Sequence, residues 1–338
     1  MTALLEVRDL FVRYPRNRRL INQLTGRTSA WVDVVEGVSL DIRAGETLAI
    51  VGESGSGKTS LIMALMGLVT ARRGEVRYAG QLIGRDERGR LQPDRRRVAM
   101  MFQDPVGSLS PRMTVRSLLA EPFRIHGDGS ADLDAEVSRL LDLIGLNAEF
   151  ADRYPHQLSG GQARRIGVAR ALALGPDLLI ADEPTAGLDV SIQGDVLNLL
   201  SGLQQRLGLA MLIVTHNLNV VRHVADRMAI MYLGRFVEQG PSEEIFRHAR
   251  HPYTRALLSA NPEPDPDASI ERLELRGEVP SLLARPSGCE FHTRCPFARD
   301  DCTHAFPKPT RMNDEHEFQC HHPLPDPGQT GAARTSLV

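Results

Sequence analysis

Short, nearly uninterrupted apolar runs alternate with stretches of helix-spaced apolar positions along most of this chain. Thr47-Leu48-Ala49-Ile50, Val98–Phe102, Leu178–Ala181 and Ala210–Val214 are too short for helices and too apolar for one-sided strands. Such runs predict buried strands of a parallel sheet. Between them, Thr114–Leu146 carries Leu118, Leu119, Leu133, Val137, Leu140, Leu141 and Ile144 at helical spacing, and further helices are expected over Gly160–Leu174 and Ile192–Leu207. The opening is different. Leu5–Val12 alternates and ends near Tyr14-Pro15, residues 16–31 are basic and polar and read as a loop insertion, Val32–Ile42 is again β-like, and Gly74–Leu82 reads as a hairpin. Strands alternating with helices predict an α/β fold with a largely parallel sheet, and a ligand at the C-terminal ends of its strands. After Gly240-Pro241 the pattern changes: Asn261–Asp267 is a linker of proline and acid, a cysteine-bearing tail follows, and no internal repeat is visible.

The chemistry begins where the first short apolar run ends. Val51–Thr59 reads VGESGSGKT, the strand–GxxxxGK[ST]–helix pattern of a phosphate-binding loop. Gly52, Gly55 and Gly57 let successive N–H groups converge on one anion, and the helix through Leu61 and Leu65 aims its positive end at the same place. Ser54, Ser56 and Ser60 complete the loop and the first helical turn. Lys58 is expected on the β/γ-phosphates and the Thr59 hydroxyl on Mg²⁺, so the chain is expected to bind a nucleoside triphosphate. The run Leu178–Ala181 delivers Asp182 and Glu183 at its end. Asp182 suits a hard cation beside the phosphate loop, and Glu183, on the opposite side, suits the base that takes a proton from the attacking water.

Composition adds bounds. The 338 residues are 42% hydrophobic and 24% charged with a formal net charge of −2, ordinary for a globular protein and without a global pull toward nucleic acid. Arginines between Arg85 and Arg97 are interleaved with Asp86, Glu87 and Asp94 and read as a solvated face. The N-terminus lacks the form of a signal peptide, and no apolar run approaches the ~20 residues of a spanning helix, so a cytosolic protein is expected.

Leu158-Ser159-Gly160-Gly161-Gln162, placed before a helix and between the phosphate loop and the Asp182-Glu183 strand, decides the class. It offers a second anion cradle, and it resembles the signature of ATP-binding cassette ATPases. Residues Met101–Pro105 resemble the Q-loop, Ala186–Asp189 the D-loop, and Thr215-His216 the switch histidine. Gln103–Thr114, Tyr154-Pro155-His156-Gln157 and His251–Leu258 resemble the oligopeptide/dipeptide (and nickel) permease branch. The resemblance implies a cassette over residues 4–240, built from a RecA-like core, an antiparallel β subdomain and an α-helical signature subdomain near 104–162. A helical extension and linker (241–276), a cysteine-rich tail (277–325) and a disordered end (326–338) would follow. It also implies that Gln103 contacts Mg²⁺, His216 the γ-phosphate and Tyr14 the adenine. Ser159, Gly160, Gly161, Gln162 and Asp189 would serve the ATP of a second cassette, a sister ATPase or a copy of itself. The expected setting is the cytoplasmic face of the membrane, with two membrane-spanning permease subunits and an external substrate-binding protein, and with no nucleic-acid partner. Asn217 departs from the family, which more often has an acid there, and so does Ala163. A soluble cassette ATPase acting on nucleic acid or the ribosome, a redox-responsive regulator, and an importer for nickel chelates or another solute are the alternatives.

All four cysteines lie in the tail, at Cys289, Cys295, Cys302 and Cys320. Clustering in a reducing compartment favours a metal site over disulfides. Four thiolates suit a [4Fe–4S] cluster, as some peptide-permease ATPases carry. Structural zinc, with histidines such as His292, His304, His316, His321 or His322 substituting for a thiolate, and four free thiols stay open.

Overall fold

A computed structural model describes residues 3–15, 31–102, 104, 107–126, 132–260 and 273–325. The expectations for the insertion at 16–30, for Gln103, for the 261–267 linker and for the end beyond 325 lie outside the described residues.

The long opening strands β1 (Ala3–Pro15) and β2 (Trp31–Arg43) pair antiparallel, and β4 (Ala71–Tyr78) pairs on the other edge of β1 and continues into the two-residue β5 (Gln81–Leu82). This gives a four-stranded sheet in the order β2-β1-β4-β5. Its alternating residues Leu5, Val7, Leu10, Val12, Val35, Val38, Leu40 and Ile42 are buried on one face, as a one-sided sheet requires.

The short apolar runs form the second sheet. Strands β3 (Thr47–Val51), β7 (Leu178–Asp182) and β8 (Ala210–Thr215) are buried at every position, which is why their sequences do not alternate. With β6 (Val98–Met101) and β9 (Arg227–Tyr232) they make a parallel core in the order β9-β3-β8-β7-β6. Beyond β9, β10 (Arg235–Pro241) returns antiparallel, and the tail itself adds β12 (Glu317–Phe318) and β11 (Thr310–Arg311). The sheet is therefore parallel at its centre only. Glu238 of β10 pairs with Phe318, so the cysteine-bearing tail is an extension of the main sheet.

Helix α1 (Lys58–Leu65) follows the glycine loop and lies in the core between the two sheets. The Thr114–Leu146 stretch contains two helices, α2 (Val115–His126) and α3 (Leu133–Leu143). These pack with α4 (Gly160–Ala171) around a separate core that includes Leu118, Leu119, Leu140, Leu141 and Ile166. Helix α5 (Val190–Leu207) covers the β7–β8 side of the main sheet. The short α6 (Leu218–Val224) has no counterpart in the periodicity reading, whereas α7 (Ser242–His248) and the nine-residue α8 (Pro252–Ala260) lie within the 241–276 stretch expected to hold a helical extension. Tyr253 of α8, Tyr232 of β9 and Phe291 of the tail, all buried, form the aromatic centre of the cluster that joins the tail to the sheet.

No helix among the described residues is long and apolar enough to cross a membrane. The arginine-rich stretch makes specific contacts: Arg85 donates to the carbonyls of Ala71, Gly74 and Gly89, Arg90 pairs with Asp86, and Arg97 with Asp177.

Candidate nucleotide site

The register of the parallel strands brings the chemistry together. Val51 lies opposite Thr215, and Asp182 opposite Val214, so β3, β8 and β7 end at one level. Residues leaving those ends, Gly52–Thr59, His216 and Glu183, must share one edge of the sheet.

The loop from Gly52 to Gly57 is tightly packed from outside. A Cβ on Gly52 would lie 2.2 Å from the Met231 carbonyl oxygen, and Gly57 combines φ +105° with a Cβ position 2.7 Å from the Val34 carbonyl oxygen. Only glycine fits both places. Ser54, Gly55 and Thr59 face solvent, whereas Ser56 and Lys58 are buried. Lys58 Nζ donates to the carbonyls of Gly52 (2.7 Å) and Glu53 (2.9 Å). Burial pushes its pKa down, against the opposing charges of Glu183, Asp182 and Glu53.

Asp182 is 3% exposed. Burial raises its pKa, opposed by a hydrogen bond with Thr59 and by the Lys58 charge. Its Oδ1 has no hydrogen-bond partner. A buried carboxylate oxygen without a partner costs about 1–3 kcal/mol or more, so this atom wants a cation. The Thr59 hydroxyl beside it completes an all-oxygen donor pair that fits Mg²⁺.

Glu183 sits at φ +49°, a strained conformation for a non-glycine residue. Its backbone N–H is fixed on the Val214 carbonyl at 2.8 Å. The turn aims the carboxylate at the end of β8, where Oε1 lies 2.7 Å from His216 Nδ1 and Oε2 is 3.4 Å from the Thr215 hydroxyl. The imidazole remains open to solvent, with its side chain 63% exposed. The glutamate and histidine, read separately from the sequence, thus form one pair. Asn217 explains its own departure: its side chain caps α6 by accepting the Asn219 N–H.

The Ser159-to-Gln162 stretch is the N-terminus of α4. Ser159 Oγ accepts the Gln162 N–H at 3.2 Å, and Gln162 Oε1 accepts the Ser159 N–H at 3.0 Å, a closed capping box with Gly160 and Gly161 in the first turn. These residues line a cavity of about 360 Å³ with Arg165, Ile192 and Asp195, and no phosphate-loop residue lines it. Within one chain the two anion cradles are separate. Asp189 is exposed at the start of α5. Tyr14 is half-buried and lines an arginine-rich cavity with Trp31, which likewise contains no residue of the phosphate loop.

The sequence reading overlooked three features. Arg164, nearly buried, donates to the carbonyls of Pro184 and Ala186, tying the signature helix to the turn after Glu183. Glu53, inside the phosphate loop, pairs with Arg294 of the tail, and its backbone N–H is held by the Tyr253 hydroxyl at 3.0 Å. Buried Glu238 accepts the N–H groups of Arg250 and His251 and contacts His316 Nε2 at 2.8 Å. Long-range pairs of this kind have no local pattern, although Tyr253 and Arg294 sit in stretches conspicuous for other reasons.

In the tail none of the four cysteines forms a disulfide. Cys289 is pushed up to about 11 and Cys320 to about 12, mainly by burial; Cys302 and Cys295 add to the first shift and all three other thiols to the second. The four side chains therefore sit within electrostatic reach of one another. The Cys289 N–H donates to the Cys302 carbonyl at 2.8 Å, closing the loop between them. Among the described residues, only Asp301, Cys302 and His322 place three potential ligand atoms within 4.8 Å of one another.

Comparison with known proteins agrees with this geometry. Residues 35–186 match the ABC transporter family, and residues 237–302 match the C-terminal region of oligopeptide/dipeptide transporters. The chain is 44% identical over 326 residues to the di/tripeptide transport ATP-binding protein DppF of Pseudomonas aeruginosa, covering 95% of this chain and 98% of that one. It is 42% identical to the oligopeptide transport ATP-binding protein AppF of Bacillus subtilis, covering 94% and 97%. Among solved structures, cbiO1 of Clostridium perfringens, part of the ABC transporter complex cbiONQ, superposes with a TM-score of 0.61 at 26% identity, over 73% of this chain and 91% of that one. The dimeric ATP-binding cassette MJ0796, in a post-hydrolysis state with ADP and Pi, gives 0.58 at 26% identity, over 70% and 98%.

Proposed function

The chain belongs to the ABC transporter family, among the ATP-binding subunits of peptide transporters, and from that premise we propose that it hydrolyses ATP to drive uptake of di- or oligopeptides through a membrane permease. The observation that carries the site assignment is the common edge formed by the phosphate loop, the unpartnered Asp182 oxygen and the Glu183–His216 pair.

Each residue then has a role set by its surroundings. The backbone N–H groups of the loop bind the phosphates, and Lys58, held among carbonyls, is free to turn its charge toward the β/γ-phosphates. Thr59 and Asp182 would hold Mg²⁺, which would neutralise phosphate charge. Glu183 accepts the proton of the attacking water, and His216 keeps its carboxylate aimed while offering its other ring nitrogen to the γ-phosphate. Gln103 retains its expected contact with Mg²⁺ as part of this reading, and Tyr14 its stacking on adenine. The separation of the Ser159–Gln162 cradle from the chain's own phosphate loop supports a dimer of cassettes. Each cradle, with Asp189, closes on the nucleotide of the partner. Two permease subunits and an external binding protein complete the transporter.

For the tail we read a [4Fe–4S] cluster on Cys289, Cys295, Cys302 and Cys320. Four cysteines gathered in one small tail, with Cys289, Cys295 and Cys302 in one hydrophobic cluster, match a four-iron cluster at one thiolate per iron. Zinc–sulfur bonds of about 2.3 Å would draw thiolates closer together than 4.8 Å, and no three of these thiols are that close. Cys289, Cys295 and Cys302 pack with Tyr232, Tyr253 and Phe291 in the cluster that joins the tail to the sheet, which suits a structural staple.

Glu183→Gln tests the site. The variant should bind ATP with near-normal affinity and hydrolyse it at least about 100-fold more slowly in the assembled transporter. Wild-type turnover would remove Glu183 from the chemistry.

A further inference from the structure

The phosphate loop carries a carboxylate. Glu53 is its second residue, on the same short curl whose carbonyls hold Lys58, and its negative charge is felt at the lysine. A carboxylate beside a site for a triphosphate is electrostatically wrong unless it is neutralised.

The neutralising group comes from the far end of the chain. Arg294 Nη1 and Nη2 bind the two Glu53 oxygens at 2.7 and 3.0 Å, a bidentate fork across 241 residues of sequence. Arg294 is 6% exposed. Its guanidinium lies 5.9 Å from the Tyr232 ring centre, and its N–H is fixed on the Phe291 carbonyl at 3.0 Å. With the Tyr253 hydroxyl on the Glu53 N–H, backbone and side chain of this one loop residue are both held by C-terminal elements. Arg294 immediately precedes Cys295.

We propose that Arg294 is a positioning residue of the nucleotide site: it neutralises Glu53 and fixes the phosphate loop, so that nucleotide binding and the order of the cysteine-bearing tail are coupled. This rests on the reading of residues 52–59 as the phosphate loop. Coupling of this kind is reciprocal: whatever loosens the tail weakens ATP binding, and ATP tightens the tail to the same extent.

The test measures Mg-ATP affinity of the full-length chain at fixed ionic strength, with hydrogen exchange over residues 289–302 as a second readout. Arg294→Met, which leaves Glu53 unpaired, should raise Kd at least about tenfold. Adding Glu53→Gln should restore it to within about threefold of wild type, because the repulsion is then gone. ATP should slow exchange in the wild-type tail and fail to do so in Arg294→Met. If that variant does not fold, Arg294→Lys keeps the charge without the fork and should show a smaller rise of the same sign. Unchanged affinity in Arg294→Met, or a double variant as weak as the single one, would overturn the proposal. Lys58→Ala separates the two readings. If it loses ATP while Arg294→Met does not, only the Arg294 proposal falls; if it binds ATP like wild type, the phosphate-loop reading falls first.

Discussion

Phe291 is one of the residues that seat the tail on the sheet, and its truncation has a size that can be worked out. The ring is 1% exposed. It stands edge-on to Tyr232 at 5.3 Å between ring centres, tilted against Tyr253 at 5.4 Å, and 5.6 Å from the His251 ring. Phe291→Ala removes a buried side chain from a packed site and should cost about 3–5 kcal/mol. Loss of the two tyrosine contacts belongs mostly within that figure, since aromatic pairs add only ~0.5–1.5 kcal/mol each beyond area. The Phe291 carbonyl, which accepts the N–H groups of Arg294 and Cys295, is unaffected chemically, so the damage is packing alone. Urea denaturation followed by limited proteolysis of the tail measures it. The midpoint should fall, and the region around residue 291 should become cleavable before the residues of α1. Phe291→Leu should recover more than half of the loss. A cost below ~1 kcal/mol for the alanine variant would refute the reasoning, because a tail that tolerates that cavity is not held by this cluster.

Two further outcomes are expected. Iron, acid-labile sulfide and zinc measured on protein purified without oxygen should give close to four iron and four sulfide per chain, and chelation of the iron should expose the tail to protease; one zinc per chain would replace the cluster reading. Burial lowers the pKa of His251 to about 4, so folding favours its neutral form. The stability this contributes is complete above the unfolded value of about 6.5 and is lost as pH falls from there toward about 4, roughly 3 kcal/mol in all. His316 is held above its ordinary value because Glu238 and Glu244 outweigh the opposing effect of burial, so its contribution has the opposite sign and is lost as pH rises. His251→Asn should therefore flatten the acid limb in urea melts between pH 6.5 and 4, whereas equal acid slopes in both proteins would dismiss the assignment.

The pieces of the candidate nucleotide site were legible along the chain. Val51–Thr59, Asp182-Glu183, Ser159–Gln162 and Thr215-His216 each carry their chemistry within a few residues, and the apolar runs before three of them identify buried strands. Local patterns suffice there because a glycine loop, a strand end and a helix cap are local objects. The Val51–Thr59 stretch follows β3 and the Ser159–Gln162 stretch opens α4, so the two stand on different elements.

What lies between those pieces depends on the fold. The pairing of Glu183 with His216 depends on β7 and β8 being neighbours that end at one level, which no spacing along the chain encodes. The two-residue strands β11 and β12 carry too few residues for a periodic signal, and with β10, whose buried positions do not alternate, they turn the tail into part of the main sheet. The Glu53–Arg294 fork and the Glu238–His316 contact are charges that look ordinary in sequence. Their meaning comes from burial, because a charge removed from water must find its partner wherever the fold has placed it.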